Sequence, residues 1–327
     1  MKPKAPILTL AVAMLVAWLL TSARAQAPPA PVAARGATLA RGPYTPLAQT
    51  PGETLLTNAV HELARHNSVA AKLRQQINLF GHQIIGSGTY LQQGRGVDLR
   101  LRMDLKLRVA ERLASLQQVS DGKSFWVRSD GLEEQSRTTR VDLQRVRHAI
   151  QRKELASVSA AAPGISIGGL PRLLASVDAA FRFGNVTQER LDRLAVWKIE
   201  GQWEPGKLAD MLPAQAEKLK ATGAPDRSKL PEHLPDCVRL LLGKDDLFPY
   251  RIEYLRTRDP EPGASGPPDR KLLVLMELFE VQTNLTIDPR NFVYQPAKFV
   301  DATSEFLRKA DLSEPATATT PSGKVSR

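Results

Sequence analysis

Three places in the sequence combine residue types and spacings on which chemistry can be built. Gly164-Ile-Ser-Ile-Gly168 has the G-x-S-x-G spacing of a hydrolase nucleophile elbow, where a buried strand delivers the serine onto a sharp turn ahead of a helix. The residues before it, Ala156-Ser-Val-Ser-Ala-Ala-Ala-Pro163, make a poor strand. His233 is the base downstream, with Asp178, Asp192, Asp210 and Asp226 as nominal third members, so a hydrolase using Ser166 stays a minor alternative. His61-Glu-Leu-Ala-Arg-His66 sets its histidines five residues apart, which on a helix turns them about 140° from each other and forfeits shared zinc ligation. Gly86-Ser-Gly88 lies in a strand-like segment with no helix after it. It reads as a kink or bulge that lets another element approach the backbone, not as a phosphate loop. The pairs Asp245-Asp246 and Glu277 with Glu280 have no histidine or second acidic cluster beside them and read as solvated positions. The expectation is a chain without catalytic residues, metal ligands or cofactor.

The alternative to catalysis is apolar binding. Only 6% of the residues are aromatic, yet Phe125 and Trp126 stand side by side behind the Asp121-Gly122 turn. Neighbours on a strand point to opposite faces, so one of the two lines the interior; the expectation is Trp126. Trp197, Ile199 and Trp203 alternate with polar residues in a second strand, and Tyr250, Ile252 and Tyr254 share a face in a third. Such residues serve an ordinary core or the wall of a cavity, and the choice depends on the sheet that carries them.

That sheet is legible in the pattern. Leu99 to Val109 places Leu99, Leu101, Met103, Leu105, Leu107 and Val109 on one face and Arg100, Arg102, Asp104, Lys106 and Arg108 on the other, an antiparallel strand with one wet side. Further strands are expected at 83–92, 112–120, 123–129, 136–143, 180–186, 195–203, 237–242, 250–257, 271–283 and 290–294. Apolar residues at helical spacing predict two helical segments over 53–80, the second capped by Asn67 or Ser68 and carrying Val69, Leu73, Ile77 and Phe80. Helices are also expected at 142–155, at 170–179 behind Pro171, and at 204–220, with a small-residue loop at 156–169 and turn-rich connections at 223–236 and 259–270. A sheet this long curls as its strands twist, and helices across the concave face cover what the strands leave open. The fold class is therefore α+β: a curved antiparallel sheet or unclosed barrel, in one domain over 51–311 with a helical insert at about 143–180.

Residues 1–25 set the compartment. Lys2 and Lys4 precede an apolar run, and Ala23-Arg24-Ala25 offers a signal-peptidase site with cleavage after Ala25, so export to the periplasm or outside is expected. Cleavage removes Lys2, Lys4 and Arg24 and no acid, taking the formal charge from +11 to +8. A basic exported chain fits an anionic membrane surface; export and the lack of a contiguous basic block argue against nucleic acid. Cys237 stands alone, so no intramolecular disulfide forms. Residues 26–50 read as an Ala/Pro-rich linker and 312–327 as a disordered tail.

Two short motifs carry a resemblance. Asp121-Gly-Lys-Ser-Phe-Trp126 and Phe292-Val-Tyr-Gln-Pro296, standing after the Gly86-x-Gly88 strand and the Leu-Arg-Leu-Arg strand, are similar to the D-G-x-x-x-W turn and the F-x-F/Y-x-x-P segment of the LolA-like superfamily, the periplasmic carriers that sort outer-membrane lipoproteins. The second is one residue shorter here. The likeness spans most of 53–308 and implies an unclosed barrel whose helical lid shelters acyl chains, with lipid or lipoprotein acyl chains as ligand and envelope membrane proteins as further partners. On that reading the lining is Leu101, Met103, Leu105, Leu107, Trp126, Trp197, Ile199, Ile252 and Tyr254. The same sheet with a filled core would instead be an envelope protein-interaction module, as in stress sensors.

Overall fold

A computed structural model describes residues 49–132, 135–156, 165–223, 225–226, 229–258, 269–310 and 312. The expected signal segment, nearly all of the Ala/Pro-rich stretch, most of the 259–270 connection and the tail from 313 lie outside the described residues.

The elements in chain order are α1 (Pro51–Arg65), β1 (Ser68–Leu79), β2 (His82–Gln93), β3 (Arg100–Val109), β4 (Arg112–Ser120), β5 (Ser124–Asp130), β6 (Arg137–Asp142), α2 (Leu143–Ala156), α3 (Ile165–Ala180), β7 (Phe181–Leu191), β8 (Leu194–Trp203), α4 (Pro205–Met211), α5 (Ala216–Thr222), β9 (Cys237–Gly243), β10 (Pro249–Thr257), β11 (Arg270–Thr283), β12 (Val300–Asp301) and α6 (Thr303–Lys309). The strands form one open, curved sheet in the order β12-β6-β5-β4-β3-β2-β1-β11-β10-β9-β8-β7. All pairs are antiparallel except the short β12–β6 pair, which is parallel.

This order explains why helices lie across the sheet. β1 to β6 walk outward in a meander to one edge. The chain then passes through α2 and α3 to β7 at the opposite edge, and β7 to β11 walk back until β11 pairs with β1. The inserted helices span the sheet because the next strand begins on its far side. α3 packs over β4 and β7 and against α1, and Leu56, Ala59 and Leu63 of α1 meet Leu170, Leu173, Leu174 and Val177 of α3 in the main core. α1 starts in a capping box: the Glu53 N–H donates to Thr50 Oγ1 at 3.2 Å, and the Thr50 N–H to the Glu53 carboxylate at 3.0 Å.

Register places one inward residue beside the next across many strands. One row runs Leu116, Leu105, Gly88, Leu73, Leu278; the adjacent one runs Leu107, Gly86, Gln75, Met276, Ile252, Leu240, Ile199. A Cβ on Gly88 would lie 1.7 Å from the Asp104 carbonyl oxygen, and one on Gly86 2.7 Å from Leu107 Cδ2. The two glycines thus permit close approach of β3, as expected, and the β2 ladder passes them without a bulge.

After β11 the chain crosses the opposite, outer face. Ser68 Oγ donates to the Leu285 carbonyl (2.6 Å), Gln93 Nε2 to Ile287 (3.2 Å) and Arg102 Nη1 to Asn291 (3.2 Å), and the strap ends by placing β12 beside β6. α6 then turns round that edge, where Phe306 packs with Leu143 and Val146 of α2, Leu99, Leu101, Phe125 and Val141 in a second core.

Four expectations are corrected. Residues 69–79 form strand β1, with Phe80 in the turn after it, not a helix: Val69, Leu73 and Ile77 are four apart, a spacing that period two satisfies as well as a helical turn, and the inward Ala71 and Gln75 disguise the alternation. Residues 290–294 are not a strand; Pro289–Phe292 is a 3-10 turn, started by the Asp288 carboxylate accepting the Arg290 N–H at 2.9 Å. The 204–220 helix is two helices broken at Pro213. The helix expected from 170 begins at Ile165 and kinks at Gly169, whose φ is 64°.

Candidate functional site

Leu105, Leu107, Met103, Ile199 and Ile252 project into the main core under α1 and α3, where Tyr254 packs half-buried against them. Leu101 also faces inward but joins Phe125 beneath α2 and α6. Trp197 shares the face of Ile199 at the margin, half-buried, with Lys244 Nζ 5.2 Å from its ring centroid. The register thus brings the expected residues of two distant meanders onto one surface, with one exception.

Trp126 is on the other side. Phe125 pairs with Ser120 and Val141 and is 2% exposed in the second core, so by alternation Trp126 faces outward. There it meets Phe299 and Tyr294 of the strap edge-on, with ring centroids 5.0 and 5.9 Å away, and the Arg140 guanidinium at 5.9 Å. Trp126 therefore clamps the strap and lines nothing inside. Its contact with Tyr294 joins the two motifs on which the resemblance rested.

The inner face also holds polar residues that the search for apolar alternation passed over. Tyr90 Oη donates to Gln92 Oε1 at 2.6 Å. The Leu170 N–H, just past the Gly169 kink of α3, reaches both Gln92 Oε1 (3.1 Å) and Tyr90 Oη (3.2 Å). This N–H would otherwise be an orphan donor at the start of the straight part of α3, with Pro171 following. A Cβ on Gly169 would lie 2.2 Å from Gln92 Oε1, so a glycine is needed for both the close contact and the positive φ. Burial pushes the Tyr90 phenol well above its ordinary pKa, against a smaller downward pull from the Leu170 N–H, so the hydroxyl keeps its proton. The signal for this latch was available: Tyr90 and Gln92 share the parity of the inward Gly86 and Gly88.

Where α3 meets α1, burial first, and then the Glu53 charge, raise the Asp178 carboxyl. Ser166 lies in the opening turn of α3, and the described element before it is helix α2, not a strand; its side chain and Gly164 lie outside the described residues. His233 packs against Phe80 with ring centroids 5.5 Å apart and planes tilted by 36°, and His66 Nδ1 lies 3.3 Å from Asn284 Nδ2 while His61 is exposed. Burial pushes the Cys237 thiol up to about 11.

The class defined by this geometry is an open curved sheet with one apolar face roofed by helices. No family model and no curated protein matches the chain. Among solved structures it is similar to LprF from Mycobacterium bovis, with 11% identity and a TM-score of 0.38 over 72% of this chain and 94% of that one. It is also similar to the lipoprotein LppX of Mycobacterium tuberculosis, with 11% identity and a TM-score of 0.34 over 72% and 96%. A third is a structure described as an outer membrane lipoprotein-sorting protein domain from Vibrio parahaemolyticus, with 8% identity and a TM-score of 0.25 over 74% and 95%.

Proposed function

We propose that the chain is an exported, non-enzymatic carrier or sensor of the cell envelope that takes the acyl chain of a lipid or lipoprotein onto the inner face beneath α1 and α3. The observation that carries the reading is the mainly apolar inner surface shared by two meanders and roofed by a kinked helix, α3, that a backbone N–H latches to the sheet. Each CH2 moved from water onto such a surface contributes about 0.8 kcal/mol, so a long chain binds without any catalytic group. The half-buried Trp197 and Tyr254 mark where the apolar surface reaches solvent.

A second reading has its own observation. Ile199 and Ile252 are 0% exposed beneath the helices, as in a filled core, which favours an envelope protein-interaction module. Uptake of a fluorescent fatty acid separates the two. The carrier reading predicts saturable uptake that Leu105→Arg abolishes and that Lys106→Glu, on the outer face, leaves unchanged. A folded protein that takes up no fatty acid supports the module instead.

A further inference from the structure

One buried polar side chain of the inner face is set apart by having no partner. Gln118 of β4 is 0% exposed, and neither its Nε2 nor its Oε1 has a hydrogen-bond partner. Its cross-strand neighbours are Met103 and Val127, and along the strand Leu116 and Ser120 share its face. Ser120 Oγ already accepts the Gly122 N–H at 3.3 Å. Buried amides are nearly always paired, and leaving both ends unpaired costs the full desolvation of the group. A leucine here would fit the apolar row without that cost, so an amide at this point is explained by a partner that arrives when α3, which packs on β4, lifts away.

We propose that Gln118 anchors the ligand through the amide linking its long acyl chain to the remainder of the molecule. This rests on the reading of the inner face as an acyl-binding surface. The idle groups are a donor nitrogen and an acceptor oxygen, and an N-acyl amide offers a partner to each, whereas an ester or a carboxylate offers acceptors alone. The neighbouring Met103, Val127, Leu116 and Ser120 supply no cation, so a phosphate or free carboxylate would be desolvated here without compensation.

The test measures binding of two fluorescent probes of equal chain length, the N-methyl amide of a long-chain fatty acid and the methyl ester of the same acid, to the wild type and to Gln118→Leu, with Gln118→Met as the unbranched second variant. The wild type is expected to prefer the amide roughly ten-fold, and both variants to lose that preference while binding the ester unchanged. Both variants should also melt higher than the wild type, because an unpaired buried amide has been removed. An amide preference that survives the substitutions, or variants that melt lower, overturns the assignment of Gln118 while leaving the carrier reading in place. Failure of the wild type to bind either probe overturns the carrier reading and this inference with it.

Discussion

At position 88 a methyl group would meet a carbonyl fixed in the β3 ladder, and at position 86 the end of a leucine that can rotate away. Gly88→Ala should therefore destabilise by about 1–3 kcal/mol, and by more than Gly86→Ala, in denaturant titrations. Truncating Leu56, fully buried on the core side of α1, should cost about 2–5 kcal/mol by the same measurement, through the cavity it leaves. Asp178 carries a pH-dependent effect of defined sign. Its carboxyl is raised in the fold, so its cost is absent below the unfolded pKa, grows between the two values and is complete above the folded one. Asp178→Asn should raise the melting temperature at neutral pH, and the gain should vanish below about pH 4. A gain that persists in acid would remove the Glu53 and burial explanation.

For the elements, the latch and the strap make separate predictions. The double variant Tyr90→Phe/Gln92→Leu removes both acceptors of the Leu170 N–H and should speed hydrogen exchange at that amide while the protection of β3 is kept; equal exchange at Leu170 in the variant and the wild type would show that the latch does not hold α3. Trp126→Ala should leave fatty-acid uptake intact and expose the 285–302 strap to limited proteolysis, since Tyr294 and Phe299 lose the ring they pack on. Strand β3 was legible because five charges interleave its apolar residues, and the Asp121-Gly122 and Asp130-Gly131 turns marked its neighbours. β1 was not, because a spacing of four fits both periods. The choice between Phe125 and Trp126 could not be made from composition, since alternation says that adjacent residues part but not which way. What settles it is the strap, whose course over the outer face depends on a β1–β11 pairing between residues about two hundred positions apart.

Across the whole molecule, the two faces of the sheet divide the labour. The inner face carries no charge partner in this string and is mainly apolar, with Tyr90 and the amides of Gln75, Gln92 and Gln118 among its polar groups, while the outer face carries a string of alternating charges over β1, β11, β10, β9 and β8. Arg74 meets Glu277 at 3.4 Å, Arg251 bridges Glu277 (2.5 Å) and Glu253 (3.7 Å), Arg239 bridges Glu253 and Glu200 (both 2.9 Å), and Arg270 closes on Glu200 at 2.6 Å. Burial alone would raise the Glu200 carboxyl, but the hydrogen bonds and charges of Arg270 and Arg239 outweigh it and hold it below the usual carboxylate range. Its stabilisation is complete above the unfolded pKa and lost as pH falls through the folded one, so Glu200→Gln should melt lower than the wild type at neutral pH and converge with it in acid, the reverse of Asp178→Asn. Whether the inner face holds an acyl chain is decided by native mass spectrometry with lipid extraction, on protein purified without detergent from its own envelope. A lipid or lipopeptide should be bound at a fixed ratio and lost in Leu105→Arg; a clean unliganded mass from a protein that also takes up no fatty acid would show that the inner face is not an acyl-binding surface.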